Sequence, residues 1–250
     1  MTLNNKILII FIVMLVISNL FFLFLAVRYR SIVVERNKKY METLSLPRYK
    51  NTNNEFKILQ KNSHHYDHTT LFIGSSIIEN WNFEKYFEDK AFINRGVGDD
   101  DSSDMLKRFE EDVINLKPKN VVIYLGANDI KKRLSSYQSK DNLKKMLKLS
   151  YENKIDPLVL LFLPVNYKGN SALKSTHPKD KMSALNEQLV KSCEQDNTAY
   201  IDLFNSISKR DDFSELYFSD GIHLNTKGYQ LLSGIVQQEL DAEERKSSGQ

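Results

Sequence analysis

The sequence predicts an α/β fold in which a mainly parallel five-stranded sheet carries helices on both faces, preceded by one N-terminal transmembrane helix. Three observations predict it. Apolar, β-rich runs alternate with amphipathic stretches across residues 69–240, and such alternation builds βαβ units and hence a parallel sheet. The first three runs each lead into a glycine-marked polar turn. The chain also opens on a long uncharged apolar segment.

After a tail of residues 1–6, Ile7 to Val27 reads "ILIIFIVMLVISNLFFLFLAV", with only Ser18 and Asn19 polar. At about 1.5 Å per residue it spans the roughly 30 Å hydrocarbon core. A secretory signal peptide has a shorter apolar region and a small-residue cleavage site; here Ala26 runs into Val27, Arg28, Tyr29 and Arg30. Residues 7–27 are therefore expected to be an uncleaved membrane anchor. Arg28, Arg30, Arg36, Lys38 and Lys39 follow it against Lys6 before it, and the positive-inside rule places the large domain on the cytoplasmic side. Residues 28–68 form a polar connecting region containing Pro47 and "NTNNE".

Within the domain, 69–74, 91–96, 121–126, 157–165 and 199–204 read as strands buried on both faces. Helices are expected over about 103–116, 139–153, 180–196 and 225–240. The tail, 241–250, is expected to fray into disorder. Formal net charge is +3, from 35 basic and 32 acidic residues, with no basic stripe interleaved with aromatics, so nucleic acid is not an expected partner. Cys193 is the only cysteine, which excludes an intrachain disulfide and a cysteine zinc site.

Sites in such sheets form beyond the carboxyl ends of the strands. There the sequence sets Gly74-Ser75-Ser76, Gly96-Val97-Gly98-Asp99 and Gly126-Ala127-Asn128-Asp129. A serine before a helix is either an N-cap or the seat of a nucleophile, which needs a base and a carboxylate to orient it. His64, His65 and His68 in "HHYDH" precede the first strand, at the wrong end of the sheet, and read as a solvated loop rather than a metal cluster. His177 lies in the loop "STHPKD". His223 follows Asp220 by three residues ahead of the last helix, a spacing that lets a tight turn fold the carboxylate onto Nδ1. Asn128 and the backbone of the Gly98–Asp99 turn are candidate oxyanion donors. Asp99, Asp100, Asp101 and Asp104 lack EF-hand spacing and precede a helix whose dipole favours acids. Trp81 reads equally as pocket lining or core.

Taken together, "FIGSSI", "NRGVGDD", "LGAND" and "SDGIHLN" resemble, in order, the four sequence blocks of the SGNH, or GDSL-type, family of serine esterases and lipases, over about residues 69–240. The resemblance implies a flavodoxin-like three-layer α/β/α fold. It implies Ser76 as nucleophile, His223 as general base and Asp220 as its orienter. The oxyanion site would comprise Ser76, Gly98, Asp99 and Asn128, without metal or organic cofactor. Two positions depart from the family pattern: Ser75 replaces the usual aspartate, and Asp99 stands where a glycine usually lies. The expected activity is hydrolysis of acyl esters, acetyl on a carbohydrate or envelope glycan first. Alternatives are acyl transfer by the same triad, or an anchored glycan-binding or assembly protein on a degenerate hydrolase fold. An anchored esterase of glycans would face outward, periplasmic or at the cell surface, against the charge rule.

Overall fold

In the computed structural model, residues 69–87, 92–168 and 170–248 are described, together with positions 14, 18 and 28. The chain divides into Met1–Ile58 and Leu59–Gln250; the fold below belongs to the second unit. The expected anchor, 7–27, lies outside the described residues but for Met14 and Ser18, and the connecting region with His64, His65 and His68 lies outside them but for Arg28. Among the described residues no helix is long and apolar enough to cross a membrane.

Five strands form one parallel sheet: β1 (Thr70–Gly74), β2 (Phe92–Gly96), β3 (Asn120–Leu125), β4 (Asp156–Leu161) and β5 (Ala199–Asp202), in the order β2-β1-β3-β4-β5. The helices are α1 (Ser76–Glu79), α2 (Phe83–Tyr86), α3 (Ser102–Asp112), α4 (Asn128–Lys131), α5 (Ser136–Glu152), α6 (Leu173–Thr176), α7 (Lys179–Gln195), α8 (Leu203–Ser208) and α9 (Thr226–Ser248). Right-handed crossovers decide the layers. The step from β1 to β2 runs one way along the sheet and the steps from β2 to β3, β4 and β5 run the other. Thus α3, α5 and α7 share one face, where α3 packs on α5 and α5 on α7, while α1 and α2 lie on the opposite face, where α9 meets α2. The direction reverses between β1 and β3. That is the switch point at which sheets of this order open a crevice.

The central strand β1 is buried throughout and β3 from Val121 onward. The outer strands correct the expectation of burial on both faces. β2 and β5 are edges, and only Arg95 among their residues is fully buried. β4 stops at Leu161 rather than 165, because its ladder partners end at Leu125 and Asp202. The buried run from Phe162 to Val165 continues as loop, its backbone satisfied by tyrosines: Leu163 N donates to Tyr124 Oη at 3.3 Å, and Tyr217 Oη donates to Pro164 O at 2.6 Å. β5 ends two residues early because Asp202 caps α8, its carboxylate accepting from Asn205 N at 3.0 Å. The last helix runs to Ser248 and takes in most of the tail expected to fray.

Under α1 and α2, the rings of Phe72, Trp81, Phe83, Phe87 and Phe92 pack with centroids 4.6–6.3 Å apart. Trp81 is 2% exposed and donates from Nε1 to Ser233 Oγ of α9 at 2.9 Å. It is a core residue holding α9 to the layer that carries α1.

Candidate active site

β1 ends at Gly74 because α1 folds back over it: a Cβ there would lie 2.5 Å from Ile78 Cγ1. Ser75 is extended and takes the cap position of α1, yet its side chain accepts no capping bond and is buried beside Gly126, whose added Cβ would stand 3.0 Å from Ser75 Oγ. Ser76, the first residue of the helix, is only half-buried. Its Oγ lies 3.0 Å from His223 Nε2, and His223 Nδ1 lies 2.7 Å from Asp220 Oδ2. The capping reading of Ser76 therefore gives way, since the cap position belongs to Ser75 and the Ser76 hydroxyl meets the imidazole.

The Asp220–His223 turn is built by its own backbone. Asp220 Oδ1 accepts from Ile222 N at 2.9 Å and His223 N at 3.0 Å, the Asx geometry that short carboxylates favour in turns. Gly221 sits at φ 74°, and a Cβ on it would come within 2.1 Å of Asn166 O. Two residues after β4 clamp the turn from outside: Asn166 N donates to Gly221 O at 2.9 Å and Asn170 Nδ2 to Asp220 O at 3.2 Å. Burial alone would raise the carboxyl pKa of Asp220. The Ile222 and His223 hydrogen bonds outweigh burial, and the pKa is lowered, which keeps an anion beside Nδ1 and fixes the tautomer that leaves Nε2 as an acceptor.

After β2, Asp100 N donates to Val97 O at 3.2 Å, closing a four-residue turn whose third member, Asp99, has φ 69°. Aspartate tolerates this left-handed conformation better than most non-glycine residues. Its exposed carboxylate pairs with Lys131 Nζ at 2.7 Å and lies 3.9 Å from Lys132 Nζ. Asn128 opens α4, and its Nδ2 donates to Asp100 O at 2.9 Å. An amide nitrogen carries two hydrogens, so this bond uses one. Lys132 Nζ also reaches Asp101 at 3.4 Å and Asp104 at 3.0 Å; the acidic run is met by these lysines and, at Asp100, by Arg108, and among the described residues no group of three or more His, Cys, Asp or Glu could hold a metal ion.

His177 stands apart from the relay. It is 2% exposed, its Nδ1 lies 2.9 Å from Thr176 Oγ1, and burial, then Lys131, hold its pKa below the usual value. Burial pushes the Cys193 thiol up to about 12, far from a thiolate nucleophile.

Three supporting residues were not anticipated from sequence. Asn166 and Asn170 carry no motif. Arg108 had a partial signal in its i,i+4 spacing to Asp112, but its other partners come from distant turns.

A serine, a histidine and an aspartate thus stand in hydrogen-bonded series at the switch point of a parallel sheet, a constellation that serves acyl transfer on several unrelated folds. The model of the GDSL-like Lipase/Acylhydrolase family matches residues 72–231, and the chain belongs to that family of carboxylic ester hydrolases. The GDSL esterase/lipase CPRD49 of Arabidopsis thaliana is 26% identical over 138 residues, 48% of this chain and 54% of that protein. The uncharacterized lipoprotein YqeF of Bacillus subtilis is 30% identical over 79 residues, 29% of this chain and 32% of that one. The chain thus spans about half or less of the curated relatives it matches. Among solved structures, a GDSL-like lipase from Bacteroides thetaiotaomicron superposes with TM-score 0.67 at 24% identity, over 78% of this chain and 98% of that one. An acetylxylan esterase from Geobacillus stearothermophilus does so with TM-score 0.53 at 16% identity, over 69% and 93%. At these identities the likeness is one of fold.

Proposed function

We propose that this protein is a serine esterase that removes small acyl groups, acetyl first among them, from a carbohydrate or envelope glycan. The observation that carries the reading is the series Ser76 Oγ–His223 Nε2–His223 Nδ1–Asp220, at 3.0 and 2.7 Å. Ser76 Oγ bonds to the acyl carbon while His223 Nε2 takes the hydroxyl proton. The carbonyl oxygen becomes an oxyanion facing the N–H of Ser76, the backbone of the Gly98–Asp99 turn and the free hydrogen of Asn128 Nδ2. His223 gives the proton to the leaving alcohol, and the tetrahedral intermediate collapses to an acyl-serine. Water, deprotonated by His223, then attacks that ester; the acid leaves and Ser76 recovers its proton.

The neutralised Asp99 supports catalysis over a degenerate binding role, because its charge is balanced by Lys131 rather than left to oppose an oxyanion. The acetyl preference rests on the acetylxylan esterase of like fold. Residues 7–27 would anchor the enzyme in a membrane with the domain on the outer side; the lipoprotein relative is in keeping with an envelope setting. The test is hydrolysis of an aryl acetate by the full chain and its Ser76→Ala and Ser75→Ala variants. The reading expects Ser76→Ala to lower kcat/KM by at least about 10³-fold and Ser75→Ala to leave most activity. Equal activity in the parent and Ser76→Ala would overturn it.

A further inference from the structure

Arg108, on the middle of α3, sends its guanidinium under the Gly74–Ser76 turn and the Val97–Asp100 turn. Nε donates to Asp100 Oδ2 at 2.7 Å, Nη2 to Gly74 O at 3.1 Å and Nη1 to Arg95 O at 2.9 Å; Nη1 also pairs with Asp112. The side chain is 15% exposed, as is that of Asp100. A guanidinium is the side chain whose fixed fork can meet several acceptors at once. Here the acceptors are the ends of β1 and β2 and the carboxylate of the turn that follows β2.

Asp100 is the junction. Its carboxylate is held by Arg108, its N–H closes the turn onto Val97 O, and its carbonyl accepts from Asn128 Nδ2. Gly74 O, immediately before the two serines, accepts from both Arg108 Nη2 and Val97 N. One cation therefore ties the serine turn, the Gly98–Asp99 turn and, through one carbonyl, the Asn128 amide. Burial raises the carboxyl pKa of Asp100, and the Arg108 guanidinium pulls the other way.

We infer that Arg108 and Asp100 form a positioning pair for the oxyanion site, setting the spacing between the Ser76 turn and its two outside donors. The inference rests on the function proposed above. The pair touches no substrate; it acts through the groups it holds. Loosening it should leave ground-state binding alone and weaken only the stabilisation of the tetrahedral state.

The test compares Arg108→Met, Arg108→Lys and Asp100→Asn in the full chain, with two readouts: steady-state hydrolysis of an aryl acetate, and inhibition by a phenylboronic acid, whose serine adduct carries the tetrahedral charge. Losing one oxyanion donor typically costs about 10²–10³ in rate. Displacing without deleting donors should lower kcat about 10- to 100-fold in Arg108→Met, with KM held within about twofold. Arg108→Lys, which restores the charge but not the fork, and Asp100→Asn, which keeps the carbonyl contacts, should fall between. Boronate affinity should drop in step with kcat across the series. Full kcat and boronate affinity in folded Arg108→Met would overturn the inference, as would a loss confined to KM. Should Arg108→Met fail to fold, the Lys and Asn variants carry the same comparison. A parent without hydrolysis or boronate binding would instead sink the functional reading itself.

Discussion

Asp99 is the residue at which sequence and site chemistry pull against each other. A carboxylate in an oxyanion turn ought to repel the charge that forms there, yet Lys131 Nζ lies 2.7 Å away and Lys132 adds a second cation. Both Asp99 and Lys131 are about half exposed, so solvent screens the pair and its worth is about 1 kcal/mol at most. Lys131→Met should accordingly lower kcat about two- to fivefold, and adding Asp99→Asn in that background should return most of the loss. Kinetics on the two single variants and the double variant check this; a double variant no better than Lys131→Met would mean that Asp99 charge is irrelevant to the site. The residues themselves were legible in sequence. "GSS", "GVGDD" and "GAND" follow the ends of β1, β2 and β3, "SDGIH" lies beyond α8 and ahead of α9, and D-x-x-H has the spacing its turn needs. What sequence leaves open is which side chains meet. Ser75 and Ser76 differ only in that one faces inward beside Gly126 and the other faces His223, a consequence of helix phase that the letters do not record.

At the scale of elements, polar caps set two helix starts: Asp101 accepts from Ser103 N and Asp104 N at α3, and Ser135 with Gln138 forms a capping box at α5. The second starts the helix at Ser136, ahead of the expected 139, because the apolar period that marked the helix begins only after its polar first turn. The four-residue helices α1, α2, α4 and α6 were not readable, since one turn carries no periodicity. Two of them position the site. α4 brings Asn128 and the adjoining Asp129, whose carboxylate accepts from Ser102 N, the first residue of α3, at 2.7 Å. Asp129 is 1% exposed, and burial raises its pKa despite hydrogen bonds from Ser102. A carboxyl raised in the folded state binds its proton more tightly there than when unfolded. Its stabilising contribution is therefore fully present below the ordinary carboxyl pKa and is lost as pH rises through the raised value. Asp129→Asn lacks that dependence. Thermal melts should show the parent gaining on Asp129→Asn as pH is lowered from 7 toward the ordinary carboxyl range of about 4; a gap independent of pH would contradict the assignment.

Across the whole molecule, alternation of apolar runs with amphipathic stretches fixes a parallel sheet, and five strands arrive close to the expected places. Strand order does not follow from alternation alone. It rests on the reversal between β1 and β3, which brings the first and third turns together and sets α9 on the α1 face. Through α9, Tyr229 Oη donates to Ile77 O at 3.0 Å and Trp81 reaches Ser233, so the helix following His223 is bonded to the segment following Ser76. Two segments 147 residues apart in sequence are thereby held at hydrogen-bond distance. On the proposed function, their meeting makes Ser76 a nucleophile. The most direct measurement treats the full chain with a fluorophosphonate and locates the adduct by peptide mass mapping. One adduct is expected, on Ser76, greatly slowed in His223→Ala; an adduct on Ser75 or elsewhere, or none on the folded protein, would refute the nucleophile assignment.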